Sequence, residues 1–108
     1  MDILNETVSV PALGLPLAAV PGDGLTALAE LGRFGGLEIG VWEMAPGTAA
    51  DVEADEVFVV IAGRADVEFP ETRRRLTLGA GDVVRLTEGD RTVWTVHETL
   101  RKVYLARS

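Results

Sequence analysis

The chain contains no cysteine and a single histidine, His97. Without thiols it has neither a disulfide framework nor a thiolate metal site, and one imidazole is too few for the histidine sets that hold transition metals. Lysine is nearly absent too. Lys102 stands beside nine arginines, and these ten cations face 17 carboxylates, for a formal net charge of −7. A surface so short of positive charge does not suit phosphate backbones, which excludes nucleic acid as a partner. The one basic cluster, Arg73-Arg74-Arg75, reads as a charged guard on an exposed strand, with Arg73 and Arg75 facing one way and Arg74 the other. No uncharged apolar run reaches the length needed to cross a bilayer, and MDILNETVSV carries acidic residues where a secretory signal would be basic. The expected setting is cytoplasmic, with no membrane partner.

What is present describes one folded domain. Hydrophobic residues make up 47% of the 108 and charged residues 25%, the balance of globular domains rather than of disordered chains. A chain of this size buries somewhat over ~60% of its extended surface around one core. The segment VSVPALGLPLAAV, residues 8–20, is apolar but interrupted by Pro11 and Pro16, which remove amide donors and disfavour a helix or a central strand. An extended N-terminal arm over residues 1–24 is predicted, followed by a barrel domain over residues 25–108. Residues 25–31, LTALAEL, have helix-forming composition, yet the run is short and closed by Gly32. Beyond it, apolar or alternating runs recur at residues 37–44, 57–62, 64–69, 74–78, 83–86, 91–97 and 101–106. Turn chemistry separates them at Pro46-Gly47, at Gly63, at Gly79-Ala80-Gly81-Asp82 and at Glu88-Gly89-Asp90. Gly63 reads as a tight hairpin between Ala62 and Arg64. Strands this short and numerous must stack as two sheets or close on themselves, so an all-β small barrel is expected.

Gly81, Thr87, Gly89, Thr92 and Val96 keep the spacing G-x(5)-P-x-G-x(2)-H-x(3)-N, and Glu56 with Gly63 keeps E-x(6)-G. With Gly40-Val41-Trp42-Glu43, Pro46-Gly47, Asp55-Glu56, Trp94, Glu98, Arg101-Lys102 and Tyr104, these residues make the chain resemble the cupin superfamily over residues 37–106. It is most similar to the single-domain cupins related to the ureidoglycine aminohydrolase and ethanolamine-utilisation Q families. The resemblance implies a double-stranded β-helix, or jelly-roll, barrel whose cavity usually holds a metal ion through histidines. Here Thr92 stands at the second-motif histidine place. The first-motif pair falls on Ala50 and Val52 or on Ala49 and Asp51, so at most one potential ligand remains. No metal and no cofactor are therefore expected.

The resemblance implies that Glu56 points into the cavity, and strand alternation then turns Phe58 and Val60 inward with it. Thr92, Trp94 and Val96 share one face, and Lys102 shares parity with Tyr104. A lysine entering the barrel needs a carboxylate such as Glu56 or Glu43 to offset its desolvation. The expected ligand-binding residues are Glu43, Glu56, Phe58, Thr92, Trp94, Lys102 and Tyr104, with no catalytic residue assigned. Asp51, Glu53 and Asp55 read as solvated loop carboxylates, although their convergence with Glu56 would suit a hard cation. His97 is out of phase with the inward set and reads as a surface residue.

The leading expectation is a protein that binds a small polar molecule beside a Glu56–Lys102 pair, with Trp94 as an apolar wall. The alternatives are a carboxylate-ligated metal-dependent enzyme acting on small nitrogenous substrates, and a non-catalytic regulatory subunit whose barrel is filled by side chains. The apolar row Val57, Val59 and Ile61, turned outward, and the apolar arm suggest a homodimer.

Overall fold

A computed structural model describes residues 3–107; the first two residues of the predicted arm and the last residue of the predicted barrel domain lie outside them. A single helical turn, α1 (Ile3–Thr7), opens the arm, and eight strands follow: β1 (Ala18–Ala19), β2 (Thr26–Phe34), β3 (Leu37–Met44), β4 (Gly47–Val52), β5 (Glu56–Phe69), β6 (Arg74–Gly79), β7 (Val83–Leu86) and β8 (Arg91–Arg107). Every pairing is antiparallel. One layer runs β1-β2-β3-β8-β5-β7 and the other β4-β8-β5-β6, so the two long strands belong to both. Their inward faces meet in one core, where Phe58, Met44, Leu86, Leu100, Val60 and Val67 are fully buried. This is the small all-β barrel expected from the turn-punctuated apolar runs, and the jelly roll that the resemblance implied. Among the described residues no helix is long and apolar enough to cross a membrane.

The expected hairpin at Gly63 is absent. Residues 57–62 and 64–69 are one strand, β5, which bends at Gly63 and continues, while residues 91–97 and 101–106 likewise join into β8. The register between these strands slips between Val60 and Ala65. Gly63 has φ +90° and lies so close to β8 that a Cβ there would collide with the Thr99 carbonyl oxygen. A glycine in an apolar run marks a bulge as readily as a reversal, and the tertiary pairing decides between them.

Of residues 25–31, all but Leu25 lie in β2, whose ladder with β3 outweighs their helix-favouring composition; a register shift between Glu30 and Gly32 absorbs the glycine. The arginine run does not lie wholly on a strand. Arg73 occupies the preceding turn at φ +58°, and β6 begins at Arg74. Arg75 reaches Asp66 on β5 at 2.9 Å, and among the described residues β6 pairs with β5 alone, so the run borders a sheet edge.

The arm folds back on its own barrel. Arg101 Nη1 donates to the carbonyls of Ala12 and Leu15 at 2.8 and 2.9 Å, and β1 adds to the edge of β2. Replacing Gly63 by valine forces a β-branched residue into a left-handed conformation and against Thr99. Gly63→Val is expected to lose about 3 kcal/mol or more of stability, read from the midpoint of urea unfolding. A wild-type midpoint would contradict the bend.

Candidate functional site

Alternation along β5 and β8 brings the inward polar residues together. Glu56, Phe58 and Val60 on β5 stand opposite Ala106, Tyr104 and Lys102 on β8. Lys102 is 5% exposed. Its Nζ donates to Glu56 Oε2 at 2.7 Å and lies 4.1 Å from the ring centre of Phe58, 4.5 Å from Trp42 and 5.0 Å from Trp94. Burying an ammonium costs several kcal/mol unless its charge is answered. One carboxylate and three aromatic faces answer it here.

Glu53 forms a second cluster. It is buried, and its Oε2 accepts from Thr92 Oγ1 at 2.6 Å and from Trp94 Nε1 at 3.0 Å. The solvated placement expected for Glu53 is thus corrected. Its amide donates to the Asp90 carbonyl at 2.8 Å and its carbonyl accepts from Gly89 N at 2.9 Å, which ties the loop after β4 to the turn before β8 and turns the side chain inward. Asp51 is exposed at the cavity mouth, where its own carboxylate accepts from Val52 N. Asp55 accepts from Glu88 N at 3.0 Å and from Arg85 at 3.2 Å, and those bonds hold its carboxyl below the ordinary range.

The third cluster joins β3 to β8. Tyr104 donates its phenolic O–H to Glu38 Oε2 at 2.7 Å. Burial, reinforced by the Glu38 carboxylate, pushes the phenol's pKa well up, so the ring stays neutral. Gly40 makes room for it: any Cβ at that position would overlap the Tyr104 hydroxyl.

These clusters face one cavity of about 540 Å³, with Trp42, Trp94, Glu53, Glu56, Lys102 and Tyr104 in its wall. Of the expected binding residues, Glu56, Trp94, Lys102 and Tyr104 line it. Phe58 and Thr92 lie behind the wall, the first packed against the Lys102 ammonium and the second bonded to Glu53. Glu43 does not belong to the site. On β3 the even positions Glu38, Trp42 and Met44 look into the cavity, so Glu43 faces outward, where it accepts from Arg101 Nε at 3.1 Å beside the arm. Glu38 and Trp42 are the residues on that strand that sequence reasoning passed over. The parity of Trp42, the bulky aromatic beside Glu43, was the available signal. His97 lies on the outer surface as expected, 2.9 Å from Asp66.

The residues present do not fit a metal ion. Thr92, at the histidine place, is engaged with Glu53; Ala49 and Asp51 contribute one carboxylate between them; and no three His, Cys, Asp or Glu side chains converge among the described residues. A larger groove of about 740 Å³ lies between β6 and β7. Two of its guanidinium groups, Arg75 and Arg85, are already paired with Asp66 and Asp55, and Asp82 and Asp90 accept from the amides of Gly79 and Thr87 in its turns. It lacks the buried, inward-facing charges of the smaller cavity.

The family model of the EutQ-like cupin domain matches residues 31–104. No curated protein matches the chain by sequence. Among solved structures, the EutQ protein of Clostridium difficile superposes with a TM-score of 0.76 at 18% identity, over 92% of this chain and 85% of that one. A Rhizobium leguminosarum bv. viciae protein of unknown function gives 0.70 at 25% identity, over 79% and 83%. The polyketide cyclase RemF of Streptomyces resistomycificus gives 0.71 at 17% identity, over 91% and 77%. At such identities the EutQ and RemF superpositions speak for the fold alone, and one fold hosts unrelated chemistries.

The outer-face cluster has a pH signature. The hydrogen bond from His97, followed by that from Arg75, lowers the Asp66 pKa from 3.8 to about 2. A carboxylate depressed in the folded state stabilises it fully above its unfolded pKa, and that contribution fades as the pH falls from about 4 towards 2. Asp66→Asn is expected to flatten this part of the acid limb, measured as the urea midpoint against pH. An unaltered limb would show that the bonds do not persist in solution.

Proposed function

Because the chain belongs to the EutQ-like cupin domain family, we propose that it binds a small polar molecule in the mouth of its barrel, beside the Lys102–Glu56 pair and without a histidine-bound metal. The observation that carries this is the ammonium at the cavity wall, fixed by Glu56 and boxed by Trp42, Phe58 and Trp94. Glu56 takes one of its three donors, and the others suit an acceptor on the ligand. A volume of about 540 Å³ with aromatic walls and a few oriented polar groups is in the range of small-molecule sites. The same opening argues against a barrel filled by its own side chains. Nothing favours a carboxylate-held metal, since Glu53, Asp55 and Glu56 each have other partners.

A second copy of the chain is the proposed macromolecular partner. Val57 is 40% exposed and Val83 is 68% exposed on the outer face of the larger layer, next to half-buried Val59 and Ile61. Arg101 holds the arm on the outer side of this layer, at the end of it where Arg101 stands opposite Glu43 and Ala62, and strands β5 and β7 supply the two-fold contact. Light scattering should read a dimer for the full chain and a monomer for Val57→Lys with Val83→Lys. A monomeric wild type sinks this pairing.

The Lys102 pair gives a sharper test. Lys102→Met leaves the Glu56 carboxylate against an apolar wall, and a loss of about 3 kcal/mol is expected. Adding Glu56→Gln should recover most of it. Any compound that raises the melting temperature of the wild type should fail to do so in the double variant. A retained response there would remove Lys102 and Glu56 from the site.

A further inference from the structure

Charge within the cavity is lopsided. Asp23, Glu38, Asp51, Glu53 and Glu56 line it against Lys102 and Arg107. Glu56 and Lys102 cancel at 2.7 Å. Asp23 is turned to its own loop, where it accepts from Leu25 N, Thr26 N and the Thr26 hydroxyl, and exposed Asp51 accepts from Val52 N. Glu38 is half-buried and accepts from the Tyr104 hydroxyl. Glu53 differs from Glu56 in the charge of its partners and from the other three in its burial. It is 8% exposed, and its partners are neutral, the Thr92 hydroxyl and the Trp94 indole N–H. Neutral donors orient a carboxylate without cancelling its charge.

Both of those bonds end on Oε2. The other oxygen, Oε1, takes part in no hydrogen bond, yet no buried side-chain nitrogen or oxygen among the described residues lacks a partner. Oε1 is therefore accessible, on a residue of the cavity wall. An otherwise buried carboxylate thus keeps one accessible oxygen beside an aromatic wall, where nearby low-dielectric surface strengthens its field relative to bulk water. Trp94, bonded to the same residue, and Trp42, 5.5 Å from it between ring centres, give the apolar wall beside that oxygen, though each already has the Lys102 ammonium over its ring. Lys102 does not oppose this, because Glu56 neutralises it.

We propose that the ligand carries a cationic nitrogen, an ammonium, amidinium or guanidinium group, that donates to Glu53 Oε1. This rests on the cavity being a small-molecule site and adds the charge of its occupant. A metal cation is not the match, because among the described residues no three His, Cys, Asp or Glu side chains converge there.

The test is a charge series on one frame: 2-phenylethylammonium, 2-phenylethanol and phenylacetate, titrated into the full chain and followed by the two indole N–H resonances. The Trp94 signal should move, because that proton bonds to Glu53. The ammonium should bind about tenfold or more tightly than the alcohol, the scale of one charge-assisted hydrogen bond, and phenylacetate most weakly. Added salt should weaken the ammonium alone. In Glu53→Gln, whose amide oxygen still accepts from Thr92 and Trp94, the ammonium should fall to the affinity of the alcohol. Equal binding of ammonium and alcohol by the wild type, or a preference for phenylacetate, overturns the cationic ligand and leaves the small-molecule site standing. No indole shift with any of the three up to their solubility limits overturns both.

Discussion

Both layers of the barrel depend on two strands that bend together. β5 and β8 run the length of the molecule side by side, and their register slips where Gly63 meets the Thr99 carbonyl. On β8 the inward residues keep one parity throughout, from Thr92 and Trp94 to Lys102 and Tyr104. On β5 they change from Glu56, Phe58 and Val60 before the bend to Ala65 and Val67 after it. The extra residues in the bulge let each half of β5 keep its apolar side inward while the strand crosses from one layer to the other. Without that slip, one half of the strand would present Asp66 and Glu68 to the core.

The interior then holds more polar chemistry than a barrel needs for stability. Glu56 answers Lys102, Tyr104 answers Glu38, and Thr92 with Trp94 answers Glu53. Replacing a buried ion pair with well-packed apolar side chains is often neutral or stabilising. One such pair and two carboxylates held by neutral donors, all around one opening, are therefore hard to explain by folding. They are readily explained as orientation: each fixes the direction of one functional group at the cavity wall. The indole can only donate, the neutral phenol donates to Glu38 and keeps an oxygen that can accept, and the ammonium donates to Glu56 among three rings.

Much of the fold was legible because alternation and turn chemistry are local. The strands at residues 37–44, 74–78 and 83–86 follow from period-two patterning, whereas the inward placement of Glu56 came from the resemblance and that of Phe58, Lys102 and Tyr104 from parity counted along their strands. The misreadings share a different cause. Whether Gly63 reverses or bends the chain is decided by Thr99, 36 positions away, and whether 25–31 is helix or strand is decided by the ladder with β3. Glu53 sits among carboxylates that do face water, and only Thr92 and Trp94, 39 and 41 residues on, draw it inside. Glu43 is the exception, since the neighbouring Trp42 already implied the opposite face.

That neighbouring pair shows how one segment serves two surfaces. Trp42 stands opposite Lys102 inside the barrel, and Glu43 stands opposite Arg101 outside it. The inner cation is boxed by rings and the outer one clamps the arm through two carbonyls. Charge alone does not distinguish these positions, because each cation has its own carboxylate. Shape and packing do. A one-residue slip of β8 would turn Leu100 and Tyr104 outward, drive a forked guanidinium into a space sized for an ammonium, and leave the arm with a lysine, which lacks the fixed fork that reaches Glu43 and two carbonyls at once. The register that seats the ammonium at the cavity wall is thus the same one that holds the arm, and the site inherits its precision from the whole ladder rather than from its own few bonds.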